Sequence, residues 1–138
     1  MDSCIFCKIA AGQIPCSKVF EDDDFIAFLD IRPINRGHVL LIPKVHAERL
    51  TDLDDRILAA ELPLAGRLAR AVLDATGARD FNLFNTNGAD SGQEVFHHHL
   101  HIIPRYKGDG MKLSLTPVSY GEGEAARLSE RIAVLVNG

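Results

Sequence analysis

The sequence predicts an α+β fold, with a mainly antiparallel sheet of five strands, a long helix and a C-terminal helix. Three observations carry this expectation. Five short runs of aliphatic and aromatic residues are set apart by turn residues. Between the third and fourth runs, apolar residues recur with helical period. A second helical pattern closes the chain. At 138 residues the protein is expected to be one domain, 1–138, with a core large enough to need no disulfides.

Taken in order, Cys4–Ala11 carries Ile5, Phe6, Ile9 and Ala10 and is expected to form a short helix stopped by Gly12. Lys18–Glu21 and Phe25–Asp30 are the first two strands, joined as a hairpin by the acidic turn Asp22-Asp-Asp24. Pro33, Asn35 and Gly37 mark a loop, and His38–Pro43 is the third strand, stopped by Pro43. In Asp54–Thr76, residues Ile57, Leu58, Leu62, Leu64, Ala65, Leu68, Ala69, Val72 and Leu73 make one apolar stripe that ends at Gly77. Pro63 should kink that helix or divide it. Asp80–Asn85 and Phe96–Pro104 are the fourth and fifth strands. Residues 106–121 are loop-like. Glu124–Val136 is a terminal helix, expected to pack on the sheet or on a partner subunit. The helices are expected to cover one side of the sheet.

Composition narrows the function. The net charge is −4 and no long Lys/Arg run occurs, so extended nucleic-acid contact is not expected. Met1-Asp2-Ser3-Cys4 has no basic start, and no apolar run reaches membrane-spanning length, so neither export nor a membrane span is expected. Three cysteines, Cys4, Cys7 and Cys16, are an odd set that suits a reducing cytoplasm better than a disulfide framework.

The chemistry concentrates in Gly92-Gln-Glu-Val-Phe-His-His-His-Leu-His-Ile-Ile-Pro-Arg105, which holds four of the six histidines. Strand alternation puts Val95, His97, His99, His101 and Ile103 on one face and Phe96, His98, Leu100 and Ile102 on the other. The second face is apolar and should meet the helices, with His98 in a structural role near the edge of the core. On the first face neighbouring rings stand ~6.6 Å apart, so three cannot converge on one ion. A row of neutral imidazoles beside the Gly88–Gly92 loop suits phosphate chemistry. One ring can attack phosphorus, another can donate to a non-bridging oxygen, and loop amides can hold further oxygens.

These residues resemble the histidine triad (HIT) family of nucleotide-binding proteins. The triad stands as His97-His98-His99-Leu100-His101-Ile102-Ile103, extended by Pro104-Arg105. Cys4-Ile-Phe-Cys-Lys-Ile9, Phe28-Leu-Asp-Ile31, Gly37-His-Val-Leu-Leu-Ile-Pro-Lys44 and Gly92-Gln93 also resemble family segments, in family order. The resemblance implies a HIT-like fold and a homodimer. It also implies a hydrolase or transferase acting on the α-phosphate of an AMP-like purine nucleotide. His99 would be the nucleophile, His101 would contact the phosphate, and His97 would orient its neighbours or bind metal. His38 would support the triad, Asp30 would bond the ribose hydroxyls, and Ile31 would flank the base. The Asn85–Gln93 loop, with Thr86 and Gly92, would wrap the phosphates. Glu94 stands where many members carry Ser or Thr. A carboxylate there would repel phosphate unless protonated or turned away. Thr86 stands where Asn or Gln is frequent, and Arg36 replaces a frequent Pro.

Cys4-x-x-Cys7 is a spacing zinc takes, and tetrahedral closure needs two more ligands. His46 and His97 are the candidates, and a zinc-binding branch of the family resembles this sequence at all four positions. A closed Cys2His2 set would be structural. The alternative is two small buried thiols and a solvated histidine. The leading function is cleavage of nucleoside phosphoramidates or related nucleotidyl conjugates. Dinucleoside polyphosphate hydrolysis, a nucleotide-binding scaffold with little turnover, and a metal-storage module are the alternatives.

Overall fold

A computed structural model of the chain describes residues 3–138. Its sheet has five strands: β1 (Lys18–Glu21), β2 (Phe25–Leu29), β3 (Val39–Pro43), β4 (Asp80–Phe84) and β5 (Leu100–Arg105). Their order is β1-β2-β3-β5-β4, and every neighbouring pair is antiparallel. The helices are α1 (Ile5–Ala10), α2 (Asp55–Thr76) and α3 (Glu124–Asn137). The predicted α+β class is the observed one.

Helices cover both faces of the sheet, which corrects the expectation of one. Phe25, Ala27, Val39, Leu41, Leu100 and Ile102 meet Ile57, Leu64, Leu68 and Val72 of α2. The alternate residues Ile26, Phe28, Leu40 and Ile42 meet Phe6 and Ile9 of α1. Two covered faces explain why β2 and β3 read as unbroken apolar runs. Burying each large aliphatic side chain contributes about 1.5–3 kcal/mol.

Helix α2 starts at the Asp54 cap, whose side chain accepts from Ile57 N at 2.9 Å, and ends at Gly77 with φ +74°. It runs unbroken through Pro63, so it is not divided. Pro63 and Ala59, the residue whose carbonyl the ring displaces, are both exposed, so water can satisfy that oxygen. Leu62, expected in the stripe, is 63 % exposed, and Glu61 is buried in its place.

The loop before β3 is pinned at Gly37. With φ +94°, a Cβ there would lie 2.6 Å from Thr76 Cγ2 and 3.2 Å from Pro104 Cγ. In the acidic turn, Asp22 Oδ1 accepts from the amides of Asp24 and Phe25, and Asp24 receives both guanidinium nitrogens of Arg56.

Two boundaries differ from expectation in ways that matter. β5 begins at Leu100 rather than Phe96. The ladder with β3 stops at Leu41↔Leu100, just short of Pro43, which has no amide hydrogen to donate, and His98 N donates instead to Ala47 O at 2.6 Å. Phe96 is therefore 46 % exposed rather than in the core. The terminal helix forms as expected but does not pack on the sheet, since none of its residues is buried. No helix among the described residues is long and apolar enough to cross a membrane.

Candidate functional site

The triad side chains keep their expected faces although only His101 lies within the strand. His97, His99 and His101 gather on the α1 side, while His98 points toward α2. The ring centroids of His99 and His101 are 4.7 Å apart, so these rings lean together more closely than the strand repeat alone would place them. Phe6 of α1 meets the His99 ring edge-to-face at 5.1 Å and the His97 ring at 5.9 Å. Sequence alone marks Phe6 only as a buried apolar residue of α1, paired with Ile9.

Hydrogen bonds fix the ring tautomers. His99 Nδ1 is 2.6 Å from the His97 carbonyl, which can only accept, so Nδ1 carries the proton and Nε2 keeps its lone pair. His38 Nδ1 accepts from Ile34 N at 3.1 Å, so a neutral His38 carries its proton on Nε2. That proton is donated to His101 Nδ1 at 2.9 Å, which leaves His101 with its own proton on Nε2. The outcome is one ring with a bare nitrogen beside a ring with an N–H.

All four rings are held neutral. Burial drives His97 and His101 down to about 4, reinforced by neighbouring imidazoles. Burial also lowers His38 and His99; Asp30 opposes it in both, and the bond to the His97 carbonyl opposes it in His99. Asp30 is half-buried, with Oδ1 accepting from Arg32 N at 2.9 Å and Oδ2 3.8 Å from His38 Nε2. Ile31 beside it is 94 % exposed.

The Asn85–Gln93 loop is organised inwardly. Gln93 is buried; its Oε1 accepts from Gly88 N at 2.7 Å, and its Nε2 donates to the carbonyls of Glu48 and Val95. The amides of Ser91, Gly92 and Gln93 also donate within the loop. The Gly88, Ser91 and Gly92 amides of the loop expected to hold phosphate oxygens are thus already engaged within the turn. Asn85 Nδ2 donates to the His99 carbonyl at 3.0 Å, Thr86 is half-buried, and Glu94 is exposed. Arg36 is exposed, and its carbonyl accepts from the Tyr106 hydroxyl.

His98 is 1 % exposed, inside the core rather than at its edge, and its Nε2 lies 2.8 Å from Glu61 Oε1. Glu61 was missed because the apolar stripe was read by its hydrophobic members. A polar residue between Ile57 and Leu64, opposite a histidine on an apolar face, was the available signal.

Cys4, Cys7, His46 and His97 come together, with one ligand atom from each within 4.8 Å of all the others. Cys4 Sγ and Cys7 Sγ each lie 3.5 Å from His97 Nδ1. Cys7 Sγ lies 3.3 Å from His46 Nδ1, and the two Nδ1 atoms are 3.3 Å apart. His97 Nε2 donates to Pro43 O at 2.8 Å, which leaves Nδ1 bare toward the thiols. Cys16 packs separately as a small apolar side chain.

An antiparallel sheet with three imidazoles gathered at the start of an inner strand is the architecture of a histidine triad protein. Residues 11–108 match the HIT domain model, and the chain belongs to that family. A protein named Protein hit from Bacillus subtilis is 47 % identical over 110 residues, covering 79 % of this chain and 76 % of its own. An adenosine 5′-monophosphoramidase from Schizosaccharomyces pombe is 45 % identical over 103 residues, covering 75 % and 74 %. Among solved structures, a HIT family protein from Bacillus subtilis superposes with TM-score 0.87 at 42 % identity over 95 % of both chains. A zinc-bound histidine triad protein from Mycobacterium smegmatis does so with TM-score 0.76 at 36 % identity, covering 99 % and 96 %.

Proposed function

We propose that this protein is a nucleotidyl hydrolase that cleaves purine nucleoside phosphoramidates and related conjugates at the α-phosphate. The observation that carries the reading is the tautomer pair. His99 presents an unprotonated Nε2, and His101 beside it presents an N–H. The first is a nucleophile and the second a donor to a non-bridging oxygen. His99 Nε2 attacks phosphorus as the phosphorus–nitrogen bond breaks, and the amine leaves with the bonding pair and a proton from solvent, which the hydrolytic water returns in the next step. Water then breaks the phosphorus–Nε2 bond, releasing the nucleoside monophosphate and freeing the ring. Asp30 accepts from the ribose hydroxyls, and Ile31 lies against the base. The names of relatives such as the fission-yeast monophosphoramidase support the substrate class.

The Cys4, Cys7, His46 and His97 set fits zinc. Around a tetrahedral ion with usual bond lengths, sulfur–nitrogen pairs stand about 3.5 Å apart and nitrogen–nitrogen pairs about 3.3 Å. The separations here, 3.5, 3.5, 3.3 and 3.3 Å, follow that pattern. His97 Nε2–H on the Pro43 carbonyl is the outer bond that metal-bound histidines usually make. Zinc there would fasten α1 to the sheet and leave the chemistry to the imidazoles. A second copy of the chain would pair across β4, an edge strand that leaves Phe81 and Leu83 exposed.

Turnover of adenosine phosphoramidate by the wild type and by His99→Ala tests the function. Release of AMP by the wild type and its loss by at least about a thousandfold in the variant is expected, since the variant lacks the nucleophile. Equal rates in the two proteins would refute it.

A further inference from the structure

The core side of the sheet holds a polar chain that the reaction above does not use. Glu61 of α2 and His98 meet at 2.8 Å, with side-chain exposures of 3 % and 0 %. On the far side of the ring, His98 Nδ1 lies 3.4 Å from Asn85 Nδ2, and the same amide nitrogen donates to the His99 carbonyl at 3.0 Å. A carboxylate oxygen facing Nε2 accepts, so the His98 proton sits on Nε2. Nδ1 is then bare, and only the NH2 end of Asn85 can face it. The His99 carbonyl needs that same end, because a reversed amide would set oxygen against oxygen.

A brace also acts from outside. Asn87 Nδ2 donates to Asn85 Oδ1 at 2.6 Å, and Leu50 N donates to Asn87 Oδ1 at 2.7 Å. Asn87 and Leu50 are both exposed, so water competes for those bonds. The His98 brace is buried and has no such competitor.

We infer that Glu61 and His98 are positioning residues for the nucleophile. Glu61 selects the His98 tautomer, His98 selects the Asn85 amide orientation, and Asn85 holds the His99–Leu100 peptide from which the attacking ring projects. The inference rests on His99 being the nucleophile.

Two measurements test it. Long-range proton–nitrogen correlation spectra of the 15N-labelled wild-type protein report the His98 tautomer. A proton on Nε2 is expected, and a proton on Nδ1 would overturn the inference. The second measurement is steady-state kinetics on adenosine phosphoramidate with Glu61→Gln and with the double variant Glu61→Met, His98→Leu. Gln can either accept from His98 or donate to it, so E61Q should mix the two tautomers in the spectrum and lose part of kcat. The double variant replaces both partners with apolar side chains, which leaves no buried charge unpaired and preserves the fold. Its kcat should fall on the order of tenfold with KM changed less than about twofold, as a displaced reacting group demands. A folded double variant with wild-type kcat would overturn the inference while His99→Ala remains inactive. If His99→Ala itself keeps turnover, the reading of the function fails instead.

Discussion

Replacing His101 with asparagine isolates what burial of the triad costs at acid pH. In the folded protein His101 is pushed down to about 4 from its ordinary 6.5 by burial and by His99 and His38, with Asp30 opposing. The unfolded chain therefore binds the proton more readily. Stability is whole above about pH 6.5 and is lost as pH falls toward about 4. For these two values, linkage gives a loss of about 1.8 kcal/mol between pH 7 and pH 5 for a fully sheltered ring. Because the ring is only half-buried, solvent screening reduces this to about 1 kcal/mol. Asparagine removes the titration yet keeps an oxygen where Nδ1 accepts from His38 Nε2, so His38 retains its partner. Urea unfolding of both proteins at pH 7 and pH 5 measures the difference. His101→Asn should lose about 1 kcal/mol less than wild type over that interval. Equal losses would refute the claim that the folded protein holds this ring neutral.

Phe6→Ala should destabilise the protein by about 3–5 kcal/mol, because it empties a buried aromatic site shared with Phe28, His97 and His99; urea midpoints measure this. The same variant should lower kcat through lost support of the His99 ring. Native mass spectrometry should find one zinc per chain in the wild type and none in Cys7→Ser, whose melting temperature should no longer respond to chelator. Gly37→Ala should cost about 1–3 kcal/mol in thermal unfolding, since the new methyl meets Thr76 and Pro104 at a left-handed φ.

The sheet was legible because its signals are local. Alternation sorted His97, His99 and His101 from His98, Leu100 and Ile102, and that sorting survives even beyond Leu41↔Leu100, where the ladder ends. The Cys4/Cys7/His46/His97 grouping came from the family pattern, and the chain brings all four together. Other features depend on tertiary packing. Coverage of the second face by α1 is not written in six residues, and Glu61 becomes informative only once α2 is laid across β5. The loop after β4 reads as a phosphate cradle by its glycines. The amides of Gly88, Ser91, Gly92 and Gln93 are nonetheless engaged by the Gln93 side chain and by the turn itself, which no spacing rule reveals. Pro63 shows the opposite case, where buried contacts on both sides of a proline override a local break signal.

The acceptor that sets the proton on His99 is a peptide oxygen two residues earlier in the same chain. A catalytic imidazole oriented by an aspartate or glutamate can be crippled by one codon change in that partner. Here no side-chain replacement can delete the partner, because every amino acid at position 97 brings the same carbonyl. Laboratory evolution of this scaffold could thus rewrite much of the pocket's surroundings without changing which nitrogen of residue 99 is free to react.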